Sequence, residues 1–331
     1  MSVASAANAR CFASSVFLAL LTGTAWAATA PAPAPSELVI LSTSDVKGET
    51  NPCGCHVPKG GLPRRASFVD SVRALAPQVL LVDAGGYFAD SPERKSVAAF
   101  QLDGMKKMGT AAVAVGARDL AYGVDFLREQ ARVAGAPVVC ANLFQNTTGK
   151  PAFEPWRLER VGKVTVGVFA LFHPRSDLGP SAEGLRVADP TATAVKTAAL
   201  LRSKGATVIV LLSQLGLEES QALASAVPGI DVVIAARSSP MVEDGRPIGK
   251  DMVLSGGQNG WYIGVTHATL DARGRMTAVV GKSIALGPEV RDEPAMMGRV
   301  KVFEDALLEG TGTGTSVGTK NCRWPATPAR P

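Results

Sequence analysis

Residues 37–47 read ELVILSTSDVK, a short apolar run followed by a polar loop. The run over residues 37–43 is apolar and β-branched, which is typical of a strand buried in a sheet. Asp45 and Lys47 come directly after it. Because the functional groups of α/β folds lie in loops at the carboxyl ends of strands, this stretch predicts a strand and a candidate site together.

The same alternation of apolar runs and helical patterns continues along the chain. Further strands are expected over residues 79–82, 111–115, 137–140, 158–161, 164–171, 208–212 and 232–234, with a strand-rich segment over 252–284. Helices are expected over residues 63–75, 97–108, 124–134, 191–202, 218–226 and 292–308. Apolar strands separated by helices indicate an α/β fold in which both faces of each sheet are buried.

Short polar or glycine-containing loops follow the predicted strands. In chain order they are Ser44-Asp45-Val46-Lys47, Asp83-Ala84-Gly85-Gly86, Gly116-Ala117-Arg118-Asp119, Ala141-Asn142-Leu143, Ser213-Gln214-Leu215-Gly216 and Ala235-Ala236-Arg237-Ser238-Ser239. The segments GGLPRR at 60–65 and GGQNGWYIG at 256–264 lie before the second strand and near the end of the pattern.

In order and spacing these loops resemble the metallophosphoesterase domain of the 5′-nucleotidase (calcineurin-like) family. There the loops read D-x-H, D-A-G-D, G-N-H-E, A-N-L, S-H-L-G and G-H-S-H, and G-G-L-A-R-R and G-x-x-G-x-x-x-G segments accompany them. The resemblance covers about residues 37–286. It implies an α/β fold of four layers, α-β-β-α, in which two mixed sheets are flanked by helices.

The family's chemistry, by contrast, does not carry over residue by residue. The resemblance implies two divalent metals, held by Asp, Asn and His side chains, that activate a water. Asp45 is retained, and the other positions carry Lys47, Gly86, Ala117, Arg118, Gln214, Arg237 and Ser239. One carboxylate cannot offset the repulsion between two dications, so a binuclear metal site is not expected. The alternative is a phosphoric ester hydrolase with an altered or single metal site, whose ligands would come from Asp45, Asp83, Asp119 or Asn142.

Three of the replacements, Lys47, Arg118 and Arg237, place positive charge where the family holds metals. Two interpretations follow. In the first, these cations pair with Asp45 and Asp119 and fill a disused polar cleft. In the second, the cleft binds a small anion through the ammonium and guanidinium groups.

A second candidate site is the loop Cys53-Gly54-Cys55-His56, to which Cys140 at the end of a predicted strand could be added. A Cys₃His zinc site, a disulfide from Cys140 to one of the pair and a redox-active thiol pair are all consistent with this pattern. Cys140 is equally typical of a small buried apolar residue. The spacing is one residue short of the C-x-x-C-H motif of covalent haem attachment.

Composition and the chain termini bear on location and partners. The net charge of +5 is spread along the chain and aromatic residues make up 5%, which excludes a nucleic-acid stripe. Residues 1–27 have the layout of a signal peptide, which predicts an exported, periplasmic or secreted protein without a membrane span in the mature chain. A Pro/Ala-rich leader over 28–36, the metallophosphoesterase-like domain over 37–290, a helix over 291–309 and a disordered tail over 310–331 that contains Cys322 are expected to follow.

The function that these observations favour is a non-hydrolytic binding or accessory module. Exported domains that combine P-C-G-C with G-G-L-x-R-R resemble those joined to multihaem cytochrome c segments. Since this chain has no haem attachment motif, the resemblance implies a separate redox or multihaem protein as the partner.

Overall fold

The computed structural model of the protein describes residues 36–89, 91 and 94–311. The predicted signal peptide, nearly all of the Pro/Ala-rich leader and the tail beyond residue 311, with Cys322, lie outside these residues. None of the described helices is long and apolar enough to cross a membrane.

The first large sheet has six strands, in the order β14-β13-β1-β2-β3-β4. They are β1 (Ser36–Thr43), β2 (Val79–Asp83), β3 (Ala112–Ala114), β4 (Val138–Val139), β13 (Tyr262–Leu270) and β14 (Met276–Ala285). β1 to β4 run parallel to one another, and β13 is antiparallel to both β1 and β14. The carboxyl ends of the four parallel strands therefore lie at one edge of the sheet.

The second large sheet also has six strands, in the order β11-β12-β10-β9-β7-β6. They are β6 (Trp156–Val161), β7 (Val164–Leu171), β9 (Val208–Ser213), β10 (Val232–Ala235), β11 (Arg246–Ile248) and β12 (Asp251–Leu254). Its four central strands are parallel and its two edge strands are antiparallel. The short strands β5 (Leu143–Gln145) and β8 (Leu185–Val187) pair separately, and the sequence pattern predicted neither of them.

Helices cover the outer faces of both sheets. They are α1 (Leu62–Leu75), α2 (Lys95–Lys107), α3 (Val124–Ala134), α4 (Pro190–Ser203), α5 (Leu217–Ala226) and α6 (Pro294–Thr311). The start of α4 illustrates why a helix begins at a given residue of the sequence. Pro190 occupies its first turn, and the Asp189 side chain accepts the Ala192 N–H at 2.7 Å.

The hydrophobic clusters show how these layers stack. One buried cluster joins the inner faces of both large sheets, through residues such as Ile40, Val82, Val168 and Val210. A second lies between the second sheet and α4 and α5. Two more lie between the first sheet and α1, α2, α3 and α6. The order is thus helices, sheet, sheet, helices, and the predicted α-β-β-α fold with two mixed sheets is confirmed.

Candidate functional site

The loops after β1, β2 and β10 meet at one end of the two sheets. The Asp45 N–H donates to the Gly85 carbonyl at 2.8 Å, and the Lys47 N–H donates to the Gly86 carbonyl at 3.0 Å. From the second sheet, the Ser238 N–H donates to Asp45 Oδ2 at 2.9 Å. The predicted loop residues of the two sheets are therefore brought together around Asp45.

A further loop, residues 257–260, completes the surroundings of Asp45. The Asn259 N–H donates to the Asp45 carbonyl at 2.8 Å, and the Ser44 hydroxyl donates to the Gly257 carbonyl at 3.0 Å. The Gln258 side chain accepts a hydrogen bond from Lys47 Nζ and donates one to the Ser238 carbonyl. Sequence reasoning placed this segment near the pattern of loops but assigned no role to Gln258.

The carboxyl group of Asp45 is buried but lies beside positive charge. Burial raises its pKa to about 7, and the Ser238 hydrogen bond and the charges of Lys47 and Arg118 act in the opposite direction. Lys47 and Arg118 are half-buried, and Arg237 is exposed. Arg237 also helps to hold the pKa of His173 below its ordinary value, after burial as the larger cause. The three predicted cations thus act on the same end of the sheets.

Backbone conformation marks the same loops. Among the described residues, positive φ angles outside glycine occur at Asp45, Lys47, Arg237, Ser238 and Asn259, at values from 48° to 68°. Each costs on the order of 1 kcal/mol and persists only where the surroundings enforce it. All five lie in the loop that carries Asp45 or in the two loops, 237–239 and 257–260, that donate hydrogen bonds to Asp45. Such clustering is typical of a binding or catalytic site.

Asp119 has a different role from Asp45. Its Oδ1 accepts the backbone N–H groups of Tyr87 at 2.9 Å and Phe88 at 3.0 Å. Its Oδ2 accepts those of Gly86 at 2.7 Å and Gly116 at 2.8 Å. Burial raises the pKa of Asp119 to about 7, against these hydrogen bonds. Its carboxylate fastens the loop after β2 to the loop after β3.

Gln214, at the end of β9, is wedged between the same two loops. Its Nε2 donates to the Ala84 carbonyl at 2.6 Å. A Cβ atom on Gly85 would lie 2.8 Å from Gln214 Nε2, and one on Gly116 would lie 2.7 Å from Gln214 Oε1. The side chain therefore packs as a spacer, where the family resemblance implies a metal-binding histidine.

The other oxygen-bearing candidates are also engaged within the fold. Asp83 accepts the Thr43 hydroxyl at 2.5 Å and the Gly85 N–H at 2.8 Å. The Asn142 amide donates to the Phe172 and Ala188 carbonyls and accepts the Phe172 N–H. The Ser239 hydroxyl donates to the Ala236 carbonyl at 2.7 Å. The hydrogen bonds of these groups hold the loops in their conformation.

Comparisons with known proteins agree with this fold. No family model matches the chain. A 2′,3′-cyclic-nucleotide 2′-phosphodiesterase/3′-nucleotidase of Yersinia enterocolitica is 30% identical over 251 residues, which cover 66% of this chain and 38% of that protein. A 5′-nucleotidase precursor from Thermus thermophilus superposes with a TM-score of 0.73 at 25% identity, over 83% of this chain and 59% of that one. The chain belongs to the 5′-nucleotidase-like metallophosphoesterase family.

This chain also shares its fold with the calcineurin-like phosphoesterase YfkN from Bacillus subtilis. The two superpose with a TM-score of 0.73 at 20% identity, over 84% of this chain and all of the YfkN chain. The chain spans about half or less of the length of the first curated relatives that it matches.

The donor set at the loops does not fit the pair of divalent metals that the family implies. Among the described residues, no three or more His, Cys, Asp or Glu side chains lie together in an arrangement that could hold a metal. Gly86 and Ala117 offer no side-chain ligand, and Lys47, Arg118 and Arg237 bring positive charge. A Cβ atom at Gly86 would lie 2.4 Å from Asp45 Oδ1, so an acid there would have to displace the Asp45 side chain. The oxygens of Asp83, Asp119 and Asn142 already accept hydrogen bonds from within the fold.

The cysteine loop is separate from these carboxylates. Cys53 and Cys55 are joined to each other by a disulfide, with their Cα atoms 5.3 Å apart. Cys140 is free and fully buried in the cluster beneath the first sheet, where burial raises the pKa of its thiol to about 12. The structure therefore does not bring Cys53, Cys55, His56 and Cys140 together, because Cys140 points into the apolar core. It shows neither the expected zinc arrangement nor a disulfide to Cys140.

Proposed function

We propose that this domain is a binding module that does not hydrolyse phosphoric esters and whose cleft takes a small anion. The observation that carries the proposal is a difference between two acids at the ends of the sheets: one is fully hydrogen-bonded within the fold, and the other lies beside cations. The buried carboxylate of Asp119 accepts four backbone N–H groups, and Lys47 and Arg118 lie close enough to Asp45 to act on its carboxyl group.

The charges favour an anion over a cation as the ligand. Lys47 and Arg118 are close enough to Asp45 to lower its pKa, and Arg237 lies near Gly216 on the neighbouring loop. Lys47 and Arg118 beside Asp45, with Arg237 on the neighbouring loop, bring positive charge to the cleft mouth. Guanidinium groups bind phosphate or sulfate oxygens in bidentate fashion and so can replace contacts that metals make in relatives.

Of the two interpretations of the cations, anion binding is the better supported. The internal pairing interpretation needs Asp119 as an acceptor of ion pairs, and both of its oxygens accept backbone hydrogen bonds. The strained backbone of Asp45, Lys47 and Arg237 also favours a maintained binding site over a disused one.

The alternative function, a phosphoric ester hydrolase with an altered metal site, has weaker support. It would require Asp83, Asp119 or Asn142 to give up hydrogen bonds that hold the loops in place. Without several anionic or imidazole ligands, neither metal-assisted activation of water nor clamping of the phosphate is available at these loops.

Export and an accessory role complete the proposal. The layout of residues 1–27 supports a protein that acts outside the cytoplasm. A module that binds a ligand without turnover acts by delivering that ligand or by docking to another protein. The cysteine loop favours a redox protein as that partner.

Hydrolysis assays test the non-hydrolytic part. Purified protein is incubated with a phosphodiester and with nucleotides, with added manganese or zinc, beside an Asp45→Ala variant. We expect no turnover above the buffer for either protein. Metal-dependent turnover that disappears in Asp45→Ala would establish the hydrolase instead.

Binding of inorganic phosphate and sulfate tests the anion part. Single Lys47→Gln and Arg118→Gln variants should each bind about tenfold more weakly, because each removes one charge-assisted hydrogen bond. Lys196→Gln, on the exposed face of α4, is the matched control and should bind like the wild type. Equal affinity in all four proteins would exclude the cleft as the anion site.

A further inference from the structure

The loop that carries Cys53 and Cys55 is held in place independently of its disulfide. The Cys53 N–H donates to the Lys59 carbonyl at 2.9 Å, and the Leu62 N–H donates to the Thr50 carbonyl at 2.9 Å. The Arg64 side chain donates to the Pro58 carbonyl at 2.6 Å. A disulfide stabilises a fold mainly by closing a long loop, and this one joins residues only two positions apart. Its contribution to the fold is therefore small.

The two sulfurs differ in their surroundings. Cys53 is half-buried, and its Sγ accepts the Lys59 backbone N–H at 3.3 Å. Cys55 is exposed, together with Gly54, His56 and Val57. A nucleophile from solvent can reach Cys55, and a hydrogen bond is already in place at Cys53 to stabilise a thiolate there.

We propose that Cys53 and Cys55 form a redox-active dithiol–disulfide couple that exchanges two electrons with thiols of a second molecule. The proposal does not rest on the anion-binding cleft. A short-range disulfide on an exposed loop is of the kind that exchanges readily, whereas structural disulfides are shielded and resist reduction.

The exchange takes two balanced steps. A thiolate of the second molecule attacks Cys55 Sγ, the bond between the two cysteines breaks, and its electron pair leaves on Cys53 Sγ beside the Lys59 N–H. A second thiolate of the same molecule then attacks its own sulfur in the mixed disulfide, and the electron pair leaves on Cys55 Sγ. The second molecule is oxidised from two thiols to one disulfide, and the two protons it releases complete the thiols of Cys53 and Cys55. A disulfide compound as oxidant runs the steps in reverse.

Reduction of the native full-length chain tests the proposal. The protein is equilibrated with dithiothreitol, a dithiol, or with reduced glutathione, a monothiol, and then alkylated and mapped by mass spectrometry. We expect Cys53 and Cys55 to be alkylated together while near-ultraviolet circular dichroism stays unchanged. Buried Cys140 should remain unmodified and serves as the internal control. Reduction by the dithiol alone assigns a dithiol partner, and reduction by both reagents assigns thiols in general. Reduction by neither before the protein unfolds overturns the proposal.

Two variants separate the redox role from a structural one. A Cys53→Ser/Cys55→Ser protein should unfold at nearly the wild-type temperature, and a large loss of thermal stability would assign the bond a structural role and overturn the proposal. Lys59→Pro removes the N–H that donates to Cys53, and Lys59→Gln keeps it. We expect the thiol attack to slow roughly threefold to tenfold in Lys59→Pro only, which is the effect of one hydrogen bond. Equal rates in wild type and both variants would contradict Cys53 as the leaving group.

Discussion

Two parts of the cleft differ in how their polar groups are used. In the inner part, formed by residues 84–88, Gly116, Asp119 and Gln214, each carboxylate and amide described above is hydrogen-bonded within the fold. In the outer part, formed by residues 44–48, 237–239 and 257–260, the backbone is strained and cations lie beside Asp45. The difference indicates that the inner part has become scaffold and that the outer part keeps the capacity to bind.

The largest expected effect comes from the inner part. Asp119→Ala leaves four buried N–H groups without their acceptor, so we expect it to lower the free energy of unfolding by about 4 kcal/mol. Denaturant titration measures the change. Asp125→Ala, at an exposed position on α3 that pairs with Arg128, is the matched control and should change stability by less than about 0.5 kcal/mol. Similar losses in the two variants would remove the scaffold role from Asp119.

The second prediction concerns the boundary between the two parts. Gly86→Asp restores the acid that the family resemblance implies, at a φ of 77° and with its Cβ 2.4 Å from Asp45 Oδ1. We expect a loss of about 3 kcal/mol from strain and overlap together. Gly149→Asp, at a φ of 65° with no atom within 4 Å of the new Cβ, isolates the backbone cost. That control should lose about 1 kcal/mol, and a loss as large as that of Gly86→Asp would show that no overlap with Asp45 exists.

How far the sequence predicts this molecule depends on the kind of feature. Apolar runs and helical periods place the strands and helices to within a few residues, and α3 spans 124–134 as expected. The loops that follow the parallel strands lie at one edge of each sheet, as the general rule for α/β folds implies. The short strands β5, β8 and β11 were missed, since none of them contains a run of apolar residues.

Within the site, residue identity gives the charge of each position but not its partner. The replacement of histidine by Gln214 is visible in the sequence, and its wedging between Gly85 and Gly116 is not. The four N–H groups on Asp119 come from backbone geometry, which no side-chain pattern records. That Cys53 pairs with Cys55 and not with Cys140 is likewise visible only in the structure, where Cys140 is buried in the core.

The buried carboxyl group of Asp45, in the outer part, should make the free energy of unfolding depend on pH. Because burial raises the pKa of Asp45 from 3.8 to about 7, the folded state holds a proton that the unfolded state has lost between these values. The stability that this group contributes is fully present below about pH 4 and is lost as the pH rises through about 7. Asp45→Asn removes that dependence, so between about pH 4 and pH 8 the wild type should lose about 4 kcal/mol more than the variant. Parallel stability curves would contradict a raised pKa at Asp45.

The smallest effect on stability is expected at Arg237. The residue is exposed, so Arg237→Gln should change the free energy of unfolding by less than about 0.5 kcal/mol. The affinity of the variant protein for phosphate should nevertheless fall about tenfold, because a guanidinium group that can bind phosphate in bidentate fashion is lost. Thermal unfolding and a phosphate titration on the same preparation measure both quantities. A large stability loss with unchanged affinity would make the outer part scaffold as well.

The most direct test of the account is isothermal titration calorimetry of the wild-type protein with inorganic phosphate in buffer that contains a metal chelator. We propose that Lys and Arg side chains of the chain itself, and not bound metals, bind the anion. We therefore expect saturable heat with one phosphate per chain in the presence of chelator, and no gain in affinity when manganese or zinc replaces the chelator. No heat at millimolar phosphate, or heat that appears only with added metal, would contradict it.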